Sequence, residues 1–319
     1  MSERSATSPG RPIAGKILVT GAAGYMASML LPHFAHRYEL RLVDVTEIVE
    51  SYGITDRHVA DLAAGDIAKL AHLFEDVDTV VHLGYIRSSP GGLYDPSVPH
   101  LERFEAEFAN VRMAHTVYRS ALEAGVRRVV VASSNHAADW YEHALVHERL
   151  AEIVSPDDLP LSDNFYGWSK AAYELLGFPF ACGTFGRALE VVLIRIGAPR
   201  ELDVAAALGG PEASEKPGPR LPRGVAGLKR HLGAYMSVAD GREVFTRAIE
   251  APDVRNEHGV PWLVVYAISD NTRAFWSLHS ARTVLGFEPI DDSEVRFADD
   301  VSRWLTSPDT AAPGGRVGP

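Results

Sequence analysis

The segment KILVTGAAGYMA (Lys16–Ala27) joins an apolar strand pattern, a glycine-containing turn and the start of a helical pattern. Gly21 and Gly24 permit a tight turn, and they would let a pyrophosphate approach the backbone at the N-terminus of the helix. Ala27 stands where a third glycine is common, and a helix–strand contact tolerates alanine there. A plain strand–helix turn also favours glycine, so this segment alone leaves both interpretations open.

A carboxylate at the end of the second strand pattern favours the dinucleotide interpretation. Asp44 lies twenty residues after Gly24, where it can accept hydrogen bonds from both ribose hydroxyls of adenosine. Because a carboxylate repels a 2′-phosphate, the position favours NAD over NADP. Asp61 and Leu62 follow a third, short strand pattern. They are expected at the adenine, although Asp61 also suits a helix N-cap.

Strand and helix patterns alternate along the first two thirds of the chain, and the strands are apolar throughout. This combination is typical of a parallel sheet covered on both faces. The predicted fold class is α/β, with a Rossmann-type doubly wound parallel sheet and a small C-terminal substrate-binding lobe. The predicted strands are Lys16–Thr20, Tyr38–Asp44, His58–Asp61, Asp78–Gly84, Arg127–Ser134 and Ala188–Gly197, and the predicted helices are Tyr25–His36, Ile67–Phe74, Leu101–Ala124 and Tyr166–Phe180.

Composition changes divide the chain into four predicted parts. Residues 1–15 and 308–319 are rich in Gly, Pro, Ser and Ala, and we expect mobile tails there. Residues 16–199 are expected to form an NAD-binding Rossmann domain that carries the catalytic residues. Residues 200–307 are expected to form a smaller substrate-binding lobe over the carboxyl edge of the sheet. It begins with a loop over Glu201–Gly224, and its short elements include AYMSV, Asp240–Glu250, PWLVVYAIS and Thr272–Leu285.

The overall composition excludes several classes of protein. The net charge of -11 over 319 residues argues against nucleic acid as a partner, because such proteins need a basic face. Cys182 is the single cysteine, so no internal disulfide and no cysteine-based zinc site can form. The sequence shows neither a secretory signal nor an apolar run long enough for a membrane span. We therefore expect a cytoplasmic protein with no membrane partner.

The segment YGWSK places Tyr166 and Lys170 four residues apart, and hence on one face of a helix. A free tyrosine titrates near a pKa of about 10. The ammonium, together with an oxidised nicotinamide, would stabilise the phenolate and lower that pKa. Ser134, at the end of the fifth strand, could hold the substrate oxygen beside the tyrosine. A surface tyrosine beside a solvated lysine is the alternative, but the preceding dinucleotide turn favours catalysis.

Three histidines follow that strand, in SSNHAADWYEHALVHERL. Ser134 lacks the glycines of a nucleophile elbow, so we interpret it as a donor that orients substrate. His143 and His147 are expected to be solvated in a loop or short helix at the pocket mouth. No set of cysteine, carboxylate and histidine converges by spacing, and we predict no metal site.

The motifs TGAAGYMA, VVHLG, FANV, ASSN and YGWSK, with Asp44 and Asp61-Leu62, resemble those of the extended short-chain dehydrogenase/reductase family, of the NAD-dependent epimerase/dehydratase type. The resemblance covers about residues 16–199. It implies that Tyr166 is the acid/base, that Lys170 holds the nicotinamide ribose, that Ser134 orients substrate, and that Asn110 supports the site. The cofactor contacts that it implies are Gly21, Gly24, Tyr25, Met26, Asp44, Asp61, Leu62, Leu83, Gly84, Tyr85, Asn110, Tyr166, Lys170 and Ile196.

A closer resemblance is to the uronate dehydrogenases, through SSNH, the RIG of residues 195–197, RHLGAYMS and ISDNTRAFWS. It implies that Asn135 and His136 face a sugar and that Arg230 clamps its carboxylate, a task that suits the guanidinium fork. Arg87 and Ala198 stand where those enzymes have serine. For Arg87, a second contact to the anion of the substrate and a solvated surface position both remain open.

Three functions are compatible with these features. The first is an NAD-dependent oxidoreductase that oxidises a hydroxyl of a sugar or sugar acid, such as the C1 hydroxyl of a uronic acid to a lactone. The second is a nucleotide-sugar epimerase or dehydratase with tightly bound NAD. The third is a non-catalytic NAD-sensing protein, which retention of both Tyr166 and Lys170 disfavours. The family resemblance also implies a homodimer formed through Leu101–Ala124 and the catalytic helix.

Overall fold

One parallel sheet organises the protein. The computed structural model describes residues 15–50, 52–91, 95, 97–204 and 224–306. Within them the sheet has seven strands in the order β3-β2-β1-β4-β5-β6-β7, and every neighbouring pair is parallel. The predicted doubly wound parallel sheet is thereby confirmed. The strands are β1 Lys16–Thr20, β2 Leu40–Asp44, β3 Arg57–Val59, β4 Val77–His82, β5 Arg128–Ser134, β6 Glu190–Ile196 and β7 Trp262–Ala267.

The helices follow most of the predicted bounds to within a few residues. In the described part of the chain they are α1 Tyr25–Phe34, α2 Ile67–Leu70, α3 Phe104–Glu123, α4 Asp139–Tyr141, α5 Phe165–Ala181, α6 Gly224–Ala234, α7 Val238–Glu250, α8 His279–Leu285, α9 Ser293–Arg296 and α10 Ala298–Leu305. Short 3₁₀ turns occupy Leu62–Ala64, Ala71–Leu73, His100–Arg103 and Asn135–Ala138, and a π-helical turn occupies Glu142–Val146. None of these helices is both long and apolar enough to cross a membrane.

Apolar residues cover both faces of the sheet. Neighbouring residues of a strand point to opposite sides, so a continuous apolar run supplies both faces. In β1, Ile17 and Val19 belong to the apolar cluster that includes α1, α7 and α8, whereas Leu18 belongs to the cluster that includes α3 and α5. Each strand therefore reads as a continuous apolar run, which is the pattern from which the fold class was predicted.

The segment PWLVVYAIS differs from its predicted place. It forms β7, which pairs with β6 from Val191 opposite Trp262 to Ile196 opposite Ala267. Its apolar run is long enough to cover a strand that is buried on both faces, and pairing with β6 decides its position. Helix α7 also joins the main body, because Glu250 at its end binds Arg37. The predicted C-terminal lobe thus contributes a strand to the principal sheet and a helix that contacts the main body.

Other differences from prediction concern the ends of elements. The predicted strand His58–Asp61 is β3, and the predicted helix Ile67–Phe74 is α2 followed by a 3₁₀ turn. Helix α6 was not predicted, and AYMSV spans its end and the start of α7, where Ser237 accepts a hydrogen bond from the Asp240 N–H. The two predicted tails, apart from Gly15, and most of the predicted loop Glu201–Gly224 lie outside the described residues.

Arg128, at the start of β5, links this strand to the end of α7 and to β6. Its side chain is fully buried, and its guanidinium donates to the carbonyl oxygens of Ala248 at 2.8 Å, Ile249 at 3.0 Å and Ala251 at 2.7 Å. Ala248 and Ile249 lie in the last turn of α7 and Ala251 directly follows it, where carbonyls have no donor within the helix. Glu190 of β6 supplies the countercharge at 2.7 Å.

We expect Arg128→Leu to lower the free energy of unfolding by about 3 kcal/mol, because it leaves buried carbonyls and part of a buried charge without partners. Urea denaturation followed by circular dichroism measures the loss. Arg119→Leu removes an exposed ion pair with Glu123 and should cost less than about 1 kcal/mol. Equal losses in the two variants would contradict the role assigned to Arg128.

Candidate active site

The strand order reverses between β1 and β4, so their carboxyl ends diverge into a crevice. Gly21 lies there with φ +70°, and a Cβ on it would stand 2.6 Å from the backbone nitrogen of Gly84. The turn after β1 therefore approaches the chain leaving β4 more closely than any side chain permits. Leu83 continues this contact, because its N–H donates to the Thr20 carbonyl at 3.0 Å.

The N-terminus of α1 opens onto this crevice. Its N-cap is Gly24, which has no side chain to satisfy the first N–H groups, including those of Tyr25 and Met26. Such N–H groups and the helix dipole form an anion site of the kind that holds a dinucleotide pyrophosphate. The residues present therefore fit the phosphate part of NAD.

Asp44 stands at the carboxyl end of β2, beside that turn. Its carboxylate accepts from the N–H of Ala23 at 2.9 Å and from the N–H of Thr46 at 3.0 Å. The Thr46 hydroxyl also donates to it at 3.1 Å. A carboxylate has about four acceptor positions, so one remains for a ribose hydroxyl. A cleft of about 350 Å³ adjoins it, lined by Ala22, Ala23, Gly24, Ser28, Glu47, Ile48, Val49, Glu50 and Tyr52. This region suits the adenosine half of NAD.

Asp61 takes the alternative role that the sequence left open. It accepts from the Ala63 N–H at 2.9 Å and caps the 3₁₀ turn Leu62–Ala64, with Leu62 buried. Ile196 is buried at the end of β6, next to β5. Arg87 has an exposed side chain in the segment after β4. A contact of Asp61, Leu62, Ile196 or Arg87 with cofactor or substrate stays a prediction.

The carboxyl end of β5 and the start of α5 bring Ser134 and Tyr166 together. Asn164 caps α5 by accepting from the Gly167 N–H at 2.9 Å, and Tyr166 lies in the first turn. Burial raises the pKa of the Tyr166 phenol to about 12, while the neighbouring Ser134 side chain acts in the opposite direction. The Ser134 side chain is itself buried, so the pair is fixed within the protein.

Lys170 lies one helical turn further along α5, on the same face. Its ammonium donates to the Ala132 carbonyl at 3.0 Å, and it lies 4.9 Å from the ring centroids of both Tyr85 and Tyr173. The Tyr166 ring centroid is 5.7 Å away. Burial lowers the pKa of Lys170 to about 8, against the charges of Glu107 and Glu174. The predicted serine, tyrosine and lysine therefore do converge.

Glu107 is a member of this cluster that the sequence did not reveal. It is fully buried on α3, three residues before Asn110, and accepts from the Tyr85 hydroxyl at 2.6 Å and the Ser169 hydroxyl at 2.8 Å. Asn110 binds the backbone of Ile86 through both ends of its amide. A helical turn shared with Asn110 is the one sequence signal that pointed towards Glu107.

On the other side of Tyr166 lies His136. Its Nδ1 is 2.8 Å from a carboxylate oxygen of Asp139, and its Nε2 is 3.3 Å from Nη2 of Arg230. Because a guanidinium only donates, Nε2 must accept, which places the proton on Nδ1 in a neutral ring. The ring packs edge-on against Tyr166 with 5.5 Å between centroids. Arg230 of α6 is therefore brought to His136, which itself contacts Tyr166, and the adjoining Asn135 is buried.

Arg230 is held by a carboxylate. Its Nε lies 3.1 Å from Oε1 of Glu142, which is fully buried in the π-helical turn, and His147 lies 3.2 Å from the same oxygen. Burial acts to raise the pKa of Glu142, but Arg230 and His147 outweigh it and lower that pKa to about 2. Glu142 therefore remains ionised.

The prediction that His143 and His147 are solvated is wrong. Their side chains are only 7% and 8% exposed, because the π-helical turn directs His147 to Glu142 and His143 to Asp163, 2.8 Å away. Asp163 is twenty residues later in the chain, so sequence spacing could not indicate this pair. The fold also brings Asp139, His143 and Asp163 to within 4.8 Å of one another, a set of metal-ligand types that spacing did not predict.

Comparison with known proteins places these observations in context. Residues 17–178 match the model of the "NAD dependent epimerase/dehydratase family". The chain is 28% identical over 290 residues to an NAD-dependent glucose-6-phosphate dehydrogenase of Haloferax volcanii, covering 87% of this chain and 94% of that one. It is 29% identical over 286 residues to a uronate dehydrogenase of Pseudomonas syringae pv. tomato, covering 88% and 83% respectively.

The fold has a solved counterpart in the crystal structure of uronate dehydrogenase from Agrobacterium tumefaciens. The superposition has a TM-score of 0.65 and covers 95% of this chain and 92% of that chain, at 22% identity. The match covers nearly the whole of both chains, so the two proteins share one fold.

We expect the pH dependence of stability to report the ion pair of Glu142. Because the folded-state pKa of Glu142 is lowered from 4.5 to about 2, its contribution is present above about pH 4.5 and lost as the pH falls towards 2. At about pH 6, Glu142→Gln should lower the free energy of unfolding by on the order of 3 kcal/mol or more. Urea denaturation between about pH 6 and pH 3 should show this difference shrinking. The exposed Glu148→Gln is the matched control, and a pH-independent difference for Glu142→Gln would refute the assignment.

Proposed function

This chain belongs to the NAD dependent epimerase/dehydratase family, and we propose that within it the protein is a dehydrogenase that oxidises a hydroxyl of a sugar or sugar acid. The observation that carries the proposal is the Tyr166 phenol, which lies beside Ser134 and the Lys170 ammonium at the carboxyl edge of the sheet. An acid/base, a donor for the substrate oxygen and a fixed positive charge are the groups that alcohol oxidation requires of the protein.

In the proposed reaction Tyr166 takes the proton of the substrate hydroxyl while Ser134 holds the oxygen. NAD supplies the hydride acceptor when it is bound. With a pKa of about 12, Tyr166 is protonated in the cofactor-free protein and is a poor base. Positive charge placed beside the phenol favours the phenolate and lowers this pKa. The buried Lys170 ammonium provides part of that charge, and it approaches the tyrosine from within the same helix.

For the cofactor, we propose that Gly21, Gly24, Tyr25 and Met26 hold the pyrophosphate and that Asp44 accepts from the adenosine ribose. Leu83, Gly84 and Tyr85 would line the crevice beside β4, and Lys170 would bind the nicotinamide ribose. Asn110 supports this region through the backbone of Ile86, directly after Tyr85. Asp61, Leu62 and Ile196 complete the proposed contacts.

For the substrate, we propose an anionic sugar. His136 packs against Tyr166, Arg230 lies 3.3 Å from His136, and Asn135 precedes His136 in the chain. A guanidinium suits a carboxylate. A relative is named for uronate, whose C1 hydroxyl would be oxidised to a lactone, and another is named for glucose 6-phosphate. Arg87, which stands where the uronate enzymes have serine, is the exposed cation that we propose as a second anion contact. The segment 200–307 would then serve as the substrate-binding lobe, since α6 carries Arg230.

A panel of free uronic acids, neutral aldoses and glucose 6-phosphate, each mixed with the protein and NAD, tests the function through NADH absorbance. We expect turnover with at least one anionic sugar, and less with NADP in place of NAD. Tyr166→Phe should reduce kcat by about 100-fold or more, because it removes the group that accepts the proton. Tyr141→Phe, outside the proposed machinery, is the control. Failure of every sugar in the panel to yield NADH would overturn the proposal.

We also propose that the protein is a homodimer formed through α3 and α5. These helices present neighbouring aromatic side chains that are about two fifths exposed, at Phe104, Phe108 and Trp168. The rings contact one another, with centroids 5.8 Å apart for Phe104–Phe108 and 5.5 Å for Phe104–Trp168. A contiguous exposed apolar patch favours contact with another protein surface, and a second copy would bury the same patch twice.

We also propose a cytoplasmic location for the protein, and this proposal rests on its single cysteine.

Sedimentation velocity should give twice the mass of one chain. Trp168→Glu should shift the protein to monomer, because it places a charge in the centre of the proposed interface. Ile290→Glu, at an exposed apolar residue away from these helices, should leave the dimer intact. A monomeric wild-type protein, or a dimer that Trp168→Glu does not weaken, would refute this interface.

A further inference from the structure

Glu107 is a fully buried carboxylate in an unusual setting. The donors that the described residues offer it are uncharged: the Tyr85 hydroxyl at 2.6 Å, the Ser169 hydroxyl at 2.8 Å and the Asn110 amide at 3.4 Å. A buried carboxylate is costly unless a positive charge lies near it. Two of its partners adjoin Lys170: Ser169 is the preceding residue in the chain, and the Tyr85 ring lies against the ammonium.

The other charged and titratable groups around Lys170 do not supply a free negative charge. Glu174, on the same helix, is the second charge that raises the pKa of Lys170, but Arg195 binds it at 2.8 Å, and both side chains are about 1% exposed. His82 of β4 is neutral, because burial and then the charge of Lys170 lower its pKa to about 3. Tyr173 and Tyr85 present their rings, and burial keeps the pKa of each phenol above its ordinary value.

We propose that Glu107 is a positioning residue for the reaction: it is the buried counter-ion that keeps Lys170 in its ammonium form, acting across Tyr85 and Ser169 rather than by direct contact. This inference rests on the proposed function only for the task of the lysine. The effect of Glu107 on the charge of Lys170 applies to the cofactor-free protein, where that charge can be measured without any substrate.

The sign of the effect follows from the two groups. Burial pushes Lys170 towards the neutral amine, and the charge of Glu107 is the first of the opposing influences. These opposing influences leave the pKa of Lys170 at about 8, so the ammonium form predominates at neutral pH but the pKa lies only slightly above that pH. Removing the carboxylate while keeping its shape would lower that pKa, and a neutral lysine could no longer favour the phenolate of Tyr166. Ser169 and Tyr85 hold the carboxylate in place but contribute no charge.

Glu107→Gln tests the proposal directly. In cofactor-free protein, the acetylation rate of Lys170 by acetic anhydride reports its neutral fraction, measured by mass spectrometry as a function of pH. Lys69 is the internal standard, because its side chain is 84% exposed. We expect the Lys170 titration to move down by about one pH unit, a tenfold rise in neutral amine at a given pH. The alkaline limb of the pH profile for kcat/KM should move the same way.

Two variants distinguish charge from packing. Ser169→Ala removes a hydrogen bond to Glu107 but keeps its charge, and Glu105→Gln removes an exposed charge from the same helix. Both should leave the Lys170 titration in place. An unshifted titration in Glu107→Gln, or an equal shift in Ser169→Ala, would overturn the proposal. If no sugar is oxidised, the proposed function fails, whereas the Lys170 titration still decides the role of Glu107.

If Glu107→Gln does not fold, stability measurements take its place. Lys170→Met should destabilise the protein by leaving Glu107 charged, buried and without a counter-ion. Adding Glu107→Gln to Lys170→Met should restore part of the loss, because the uncompensated charge is then gone. Urea denaturation compares the two, and a double variant no more stable than Lys170→Met would overturn the proposal.

Discussion

The close approach of two backbones, at the turn after β1 and at the exit of β4, is the constraint on which the site depends. Gly21 leaves no room for a side chain between them, and this contact lies where the strand order reverses. Parallel strands end at one edge, and the reversal opens a crevice there. The N-terminus of α1, Asp44 at the end of β2 and Ser134 at the end of β5 all lie at that edge, because the carboxyl ends of parallel strands meet there.

Around this crevice the protein buries a large number of charged groups, and it pairs most of them. Arg195 binds Glu174, Arg230 binds Glu142, and His136 binds Asp139. Such pairs are expensive to desolvate, so they are weak evidence for stability and better evidence for the positions they impose. Here they fix α5 to β6, α6 to the π-helical turn, and the 3₁₀ turn after β5 to α4. Lys170 is instead held among aromatic rings and a carbonyl, and Glu107 by uncharged donors, so the charge of Lys170 depends on more distant groups.

The motifs predicted a resemblance to NAD-dependent epimerases and dehydratases, and the family match confirms it. The predicted likeness to uronate dehydrogenases is confirmed by the similarity to proteins of that name. The motifs sufficed because they are local: a turn, a strand end and two residues one helical turn apart. Histidines gave the opposite result. His143 and His147 looked like surface residues, yet both are buried, because Asp163 and the π-helical turn provide partners that no short pattern shows.

The amino-acid sequence by itself determined the parallel sheet, the glycine turn and the pairing of Tyr166 with Lys170 on one helix face, since strand burial and helical periodicity are written in neighbouring residues. Tertiary structure alone decided that β7 extends the principal sheet, that Arg230 reaches His136 from 94 residues away, and that Glu107 is buried beside the lysine. Each of these rests on contacts between segments far apart in the chain. The free energy of such contacts comes from burial and from partners that only the folded chain brings together.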